Sequence, residues 1–301
     1  MSLRAMRQID SARPTLEGAG VHLRRGFGFG KSAAFDPFLL FDDFSSNNPS
    51  DYQPGFPWHP HRGIETITYV LAGSVEHKDS LGNQGTLGAG DLQWMTAGSG
   101  ILHQEMPKGD ALGHMHGFQL WANLPSSLKM TAPRYQDIPA SAIPEVTEDD
   151  GTTARILCGE FWGKRGPAEG VAASPRYLDI TIPAGKLRHI PVELGHSAFA
   201  YVFAGAGFFR DASTRQAVMT ASGADPAAAP VYDARRHSLV LFDSGDEIVV
   251  QAGAEGIRFL LASGHPFGEP VAWQGPIVMN TRAELRQAFH DMQQGTFIRH
   301  K

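Results

Sequence analysis

Between His59 and Glu105 the chain carries two pairs of candidate metal donors, His59-Pro60-His61 and His103-Gln104-Glu105, separated by short alternating segments and glycine turns. Successive side chains of a strand point to opposite faces, so donors at i and i+2 share one face and can converge on one ion. Two such pairs on neighbouring strands offer three imidazoles and one carboxylate. That set suits a divalent first-row transition ion better than calcium or magnesium, which prefer all-oxygen shells. The residues between the pairs read as the strands that would bring them together. Glu65 to Leu71 is rich in β-branched and aromatic residues and ends at Ala72-Gly73, and turns follow at Leu81-Gly82-Asn83 and Gly88-Ala89-Gly90-Asp91. Short strands at near-regular spacing, punctuated by Gly, Asn and Asp, predict a sandwich or jelly roll.

The runs His59-Pro60-His61-Arg62-Gly63-Ile64-Glu65-Thr66, Gly90 to Gly98 and Gly100 to Pro107 closely resemble the pirin family of the cupin superfamily. Asp36-Pro37-Phe38-Leu39-Leu40-Phe41-Asp42 upstream and Gly275-Pro276-Ile277-Val278-Met279-Asn280-Thr281 downstream extend the resemblance over nearly the whole chain. It implies an all-β fold, two jelly-roll cupin barrels in tandem with a short C-terminal helix. We expect residues 1–132 to form an N-terminal metal-binding barrel and residues 133–301 a degenerate C-terminal barrel plus the helix. An internal repeat supports the pair of barrels: Tyr201-Val202-Phe203-Ala204-Gly205 echoes Tyr69-Val70-Leu71-Ala72-Gly73, and Gly245-Asp246-Glu247 echoes Gly90-Asp91-Leu92. Carried across the first echo without gaps, His59 and His61 fall on Pro191 and Glu193; across the second, His103 and Glu105 fall on Arg258 and Leu260. The second barrel has therefore lost the donors and reads as structural or as a partner surface.

The 301 residues suffice for one large domain or two ordinary ones, and a net charge of −5 argues against a general nucleic-acid binder. A single cysteine, Cys158, excludes an intrachain disulfide and fits a reducing compartment. Met1 to Thr15 has no apolar run, and no stretch approaches a membrane span, so the expectation is a cytoplasmic protein without membrane or direct nucleic-acid contacts.

Other features compete for attention. Gly26-Phe27-Gly28-Phe29-Gly30 has no surrounding βαβ pattern and is not read as a nucleotide site. His114-Met115-His116 is a second H-x-H in a glycine-rich loop without a nearby carboxylate, and reads as a rim pair; His77 matches a family histidine that is not a ligand. His189, His196 and His237 lack paired spacing. Pro125 to Glu148 reads as a connection and Asp211 to Ala229 as a surface insertion. Thr281-Arg282-Ala283-Glu284 is a capping box, followed by an apolar stripe at Leu285, Ala288, Phe289 and Met292 until Gly295. Phe56, Pro57 and Trp58 precede the first pair and suggest an apolar wall beside the ion.

The pirin pattern assigns His59, His61, His103 and Glu105 as ligands, with Glu105 also the candidate catalytic residue. Glu65 is the runner-up carboxylate, as ligand or as the acceptor orienting an imidazole, because it shares parity with His61. The resemblance implies one divalent transition ion per chain, iron(II) first, with manganese, nickel, copper or zinc as alternatives. It also implies a dioxygenase cleaving a flavonol such as quercetin, a small planar aromatic substrate, with Phe56, Trp58, Met95 and Met106 lining its slot. The competing reading is a non-enzymatic iron protein that senses redox state and regulates a protein partner.

Overall fold

A computed structural model describes residues 2–212 and 234–300; most of the insertion expected at Asp211 to Ala229 lies outside the described residues. The described residues are mostly β-strand, with the C-terminal helix Arg282–Gln293 the longest helix among them. None of the described helices is long and apolar enough to cross a membrane.

The chain packs as two compact units, each built around its own sheets. The unit holding the histidine pairs comprises Ala12–Pro144, Ile156–Arg176 and Gly264–Lys301. Its larger sheet has seven strands in the order Arg134–Ile138, Leu92–Thr96, Ile64–Ala72, His116–Asn123, Phe38–Asp43, Val21–Phe27, Arg13–Glu17. A second sheet of four runs Phe56–His61, Ile101–Lys108, Ser74–Asp79, Gln84–Leu87. Strand alternation explains why the smaller sheet matters. In Ile101–Lys108 the buried positions are Ile101, His103, Glu105 and Pro107, and in Ser74–Asp79 they are Val75, His77 and Asp79. Four of these seven inward positions are titratable. Placing them inside a barrel costs desolvation that an apolar set would not, which marks this face as a site rather than a core.

The other unit comprises Met1–Ser11, Glu145–Arg155 and Tyr177–Ser263. Its sheet runs Met6–Ser11, Ser238–Phe242, Ser197–Phe209, Glu247–Gly264, Arg176–Ile182, Thr153–Cys158, Glu145–Thr147, with Leu187–Pro191 and Ala234–Arg235 pairing at its flanks.

The packing departs from a contiguous division at residue 132, at both ends of the chain. Met6–Ser11 pairs antiparallel with Ser238–Phe242, Ile9 opposite Val240, and so completes the second unit. The C-terminal helix completes the first. Its Leu285 and Ala288 pack with Ile277, Met279 and Phe297. The expected capping box is present: Glu284 N donates to Thr281 Oγ1 and Thr281 N donates to Glu284 Oε2. The apolar stripe is narrower than expected. Met292 is exposed, and the third fully buried position of the helix is Asp291, which accepts from Arg62.

Candidate metal centre

The two donor pairs meet because their strands are neighbours. In the antiparallel pairing of Phe56–His61 with Ile101–Lys108, His103 lies opposite His59 and Ile101 opposite His61. One nitrogen from each of His59, His61 and His103 falls within 4.8 Å of the others. Burial holds all three imidazoles below the ordinary histidine pKa, His61 and His103 well below it, so they are neutral. His59 Nδ1 lies 2.8 Å from Pro57 O, and His61 Nδ1 lies 3.2 Å from Pro276 O. A carbonyl can only accept, so in both rings the proton sits on Nδ1 and the lone pair on Nε2. Those two Nε2 atoms are 3.1 Å apart. Two lone pairs at that distance repel unless a cation lies between them, and about 3 Å is the separation of two nitrogens each about 2.1 Å from one ion at a right angle. His103, 1 % exposed, has neither ring nitrogen hydrogen-bonded to protein. The donor set therefore fits a transition ion.

Glu105 stands beside this trio rather than inside it. A register shift after His103 displaces it along the strand. Its Oε2 is 4.0 Å from His103 Nε2, and its Oε1 is 3.1 Å from Thr68 Oγ1. Burial pushes its carboxyl up to about 7 against the Thr68 hydrogen bond. Glu65 is ruled out as the orienting acceptor by its position. Thr68 faces Glu105, so Glu65, three residues away on Ile64–Ala72, faces the other side of the sheet, where its Oε1 accepts from Thr96 Oγ1 at 2.7 Å. The parity argument from His61 fails because the chain turns at Gly63, φ 77°, and enters a different sheet. His114 and His116 are outside the trio, as is His77, whose buried ring stacks on Tyr135 at 5.7 Å.

A cavity of about 590 Å³ opens onto His59, His61 and Glu105. Phe56 and Trp58 line it as expected; Met95 and Met106 do not. Met95 is packed in the core with Leu39, Ile64 and Ile101, and Met106 lies against Gly55. Trp121 and Trp273 take their place. The Trp121 ring meets His61 edge-on at 5.0 Å and Trp273 at 6.1 Å.

The match to known proteins is broad. The pirin family profile matches residues 20–122 and that of the pirin C-terminal cupin domain residues 177–298. A Caulobacter vibrioides protein named pirin-like is 42% identical over 298 residues, covering 99% of this chain and 100% of its own.

The chain belongs to the pirin family.

Among solved structures, a quercetin 2,3-dioxygenase from Acinetobacter baumannii superposes with a TM-score of 0.84 at 31% identity, covering 98% of each chain. The Escherichia coli pirin YhhW, solved in complex with nickel(II), shares the fold at a TM-score of 0.61 and 20% identity, over 86% of this chain and 100% of its own.

In this pirin the last forty residues brace the centre, which the motifs alone do not reveal. Pro276, whose carbonyl orients His61, is held because Val278 N donates to Arg62 O at 3.1 Å and Lys129 Nζ donates to Val278 O, Gly63 O and Asn123 Oδ1 at 3.0, 2.8 and 2.6 Å. A Cβ on Gly63 would collide with the Val278 carbonyl, so only glycine allows this approach. Arg62, next to His61 and 1 % exposed, donates to Asp291 Oδ2 at 2.7 Å and Phe297 O at 2.8 Å.

The repeat alignment placed Arg258 where the first barrel has His103. Arg258 makes a paired ion contact with Asp179, Nε to Oδ1 at 2.9 Å and Nη2 to Oδ2 at 2.7 Å. His189 lies 2.9 Å from Glu247, and His237 Nδ1 lies 3.2 Å from the Tyr201 hydroxyl. Among the described residues the group able to hold a metal ion is the three-histidine group of the first barrel.

Proposed function

We propose that this pirin is a metal-dependent dioxygenase that cleaves a flavonol such as quercetin, using a mononuclear centre held by His59, His61, His103 and Glu105. The observation that carries the reading is the convergence of three neutral imidazoles, two of which, His59 and His61, line an aromatic cavity large enough for a planar polyphenol. Full-length similarity to a protein named quercetin 2,3-dioxygenase supports it. A divalent first-row ion, iron(II) first, would supply Lewis acidity toward the flavonol 3-hydroxyl and one-electron chemistry toward dioxygen.

The chain supplies the rest. Glu105 faces the cavity and, with its carboxyl raised by burial, serves as acceptor for the 3-hydroxyl proton. Thr68 fixes the orientation of that carboxylate. Pro57 and Pro276 carbonyls fix the His59 and His61 rings. Trp121, Trp273 and Phe56 give the planar rings apolar surface and exclude water around them. The products would be the ring-opened ester and carbon monoxide.

The test is aerobic turnover of quercetin with carbon monoxide release, on protein loaded in turn with iron, manganese, nickel and copper. Turnover with at least one ion, lost in Glu105→Gln beyond any loss of metal, is the expected result. Metal bound in full with no turnover by any loaded form would overturn the enzyme reading and favour the redox-sensing one.

A further inference from the structure

The seven-stranded sheet places a charged pair in the cavity wall, away from the histidines. Arg25 stands opposite Asp42 on the neighbouring strand, and both line the cavity. Asp42 is 5 % exposed and both its oxygens are taken: Arg25 Nε donates to Oδ1 at 2.8 Å and Nη2 to Oδ2 at 2.7 Å. Burying such a pair adds little stability, because apolar residues of similar volume hold a wall as well or better. A wall that had only to be packed would be apolar at these two positions.

Counting hydrogens shows what the pair leaves over. A guanidinium has five N–H donors and no acceptor, and it stays protonated. Three donors are engaged, two on Asp42 and one on Nη1, which lies 2.8 Å from Glu17 Oε1. Glu17 ends the strand Arg13–Glu17, and the turn after it is seated by Ala19 N donating to Gly55 O at 3.0 Å. Carboxylates on two sides thus hold the guanidinium plane in place. Gly28 backs the stem, since a Cβ there would come within 3.1 Å of Arg25 Cδ and 3.6 Å of Nε. One N–H on Nη1 and one on Nη2 remain without an acceptor among the described residues, on a side chain that is 27 % exposed and lines the cavity.

The sheet also sets how far these donors lie from the centre. Asp42 is opposite Gln119 and Gln119 opposite Thr68, whose Oγ1 is 3.1 Å from Glu105 Oε1. Arg25 therefore stands three strands from Thr68, roughly 14 Å along the sheet at about 4.8 Å per strand, less the reach of its side chain toward Asp42. A ligand held at the histidines meets Arg25 with its far end. One guanidinium between two carboxylates carries no surplus positive charge, so it suits an uncharged oxygen better than an anion.

We infer that Arg25 is a specificity-determining residue, donating its two remaining N–H groups to an uncharged oxygen at the far end of a ligand chelated at the centre. The cavity then selects planar ligands of more than one ring that carry a hydroxyl remote from their chelating pair over analogues that lack it. The inference rests on the proposed flavonol reading of the site.

The experiment is anaerobic titration of nickel-loaded protein with quercetin and with 3-hydroxyflavone, which keeps the chelating pair but none of the remote hydroxyls. Flavonol absorbance gives the affinities. The parent protein is expected to favour quercetin by about ten- to a hundredfold, the worth of hydrogen bonds from a charged donor. Arg25→Met combined with Asp42→Asn removes both charges together and should lower that preference at least about tenfold, with the affinities for nickel and for 3-hydroxyflavone unchanged. Arg25→Lys keeps a cation for Asp42 and Glu17 but not the planar edge; it should lower the preference at least about threefold and is decisive if the double variant does not fold. A preference absent from the parent, or unchanged in the variants, overturns the role of Arg25. Equal losses for quercetin and 3-hydroxyflavone overturn it too, since they mark a residue that only shapes the wall. Failure of both flavonols to bind the parent, with nickel bound in full, overturns the flavonol reading and this inference with it.

Discussion

Glu105 and Glu65 show what a single residue's register decides. Both are buried carboxylates, and strand parity counted along the sequence left both in contention. Glu105 faces the cavity, whereas Glu65 faces Thr96 on the far side of its sheet. Glu65→Gln should therefore leave metal stoichiometry and affinity unchanged in a chelator competition, while Glu105→Gln lowers affinity at least about tenfold; loss of metal in the Glu65 variant alone would reverse the assignment. The i, i+2 pairs were legible because a strand's period of two is robust. Strand parity could not choose between the glutamates, because Gly63 passes the chain from one sheet to another between His61 and Glu65, and the preference for Glu105 rested on the pirin pattern. Lys129 gives a second test at this scale. Burial brings its ammonium down to about 7 from an ordinary 10.5. Between those values the unfolded chain holds a proton that the folded chain has released, so stability rises with pH from about 7 to about 10.5 and the gain is lost as pH falls through 7. In urea unfolding across that window, Lys129→Met should remove this rise, an effect of the order of one to a few kcal/mol. An identical pH slope in both proteins would show that Lys129 stays charged on its three acceptors.

At the scale of elements, the C-terminal strand and helix do for His61 what the motif cannot do for itself. Arg62 is fully buried and Asp291 pairs with it, 229 residues away. Asp291→Asn leaves a buried guanidinium without its carboxylate, which costs about 3–5 kcal/mol. By loosening the segment that presents Pro276 to His61, the same change should weaken metal binding about ten- to a hundredfold, and Asp291→Glu should restore part of it. A fall in melting temperature with metal affinity untouched would mean that the Pro276 carbonyl does not orient the ring. The helix itself was legible from its capping box and apolar spacing. Its attachment was not, since a backbone carbonyl acceptor has no residue signature, and an aspartate on a helix reads as a solvated charge until its partner is located. The row of Arg25, Asp42, Gln119 and Thr68 across the seven-stranded sheet was equally invisible, because those residues are neighbours only through the register of four strands.

For the whole molecule, the repeat in the sequence announced two barrels, and the decay of the donor pairs announced which one gathers the three histidines. One ion per chain is the expected stoichiometry, with Arg258 and Asp179 satisfying each other in the second unit. The division into packing units was harder to read, because terminal segments pair with distant partners and leave no local trace. A fragment of residues 1–132 lacks the segment Gly264–Lys301 that belongs to its unit. Expressed alone, it should show a broad, low-temperature unfolding transition and bind nickel at least about tenfold more weakly than the full chain; a sharp transition with full-chain affinity would show that the arm is dispensable. The same arrangement bears on how the protein is made. His61 emerges from the ribosome 215 residues before Pro276, the group that sets its tautomer. At about 5–20 residues per second that interval lasts about 10–40 s. Once His103 has followed, the growing chain carries all three histidines of the group but not the acceptor that aims His61, so it is a poor trap for whichever ion is abundant at the site of translation. On the proposed metal reading, selection of the ion then falls to the completed chain, in which the Pro276 carbonyl is present to aim His61.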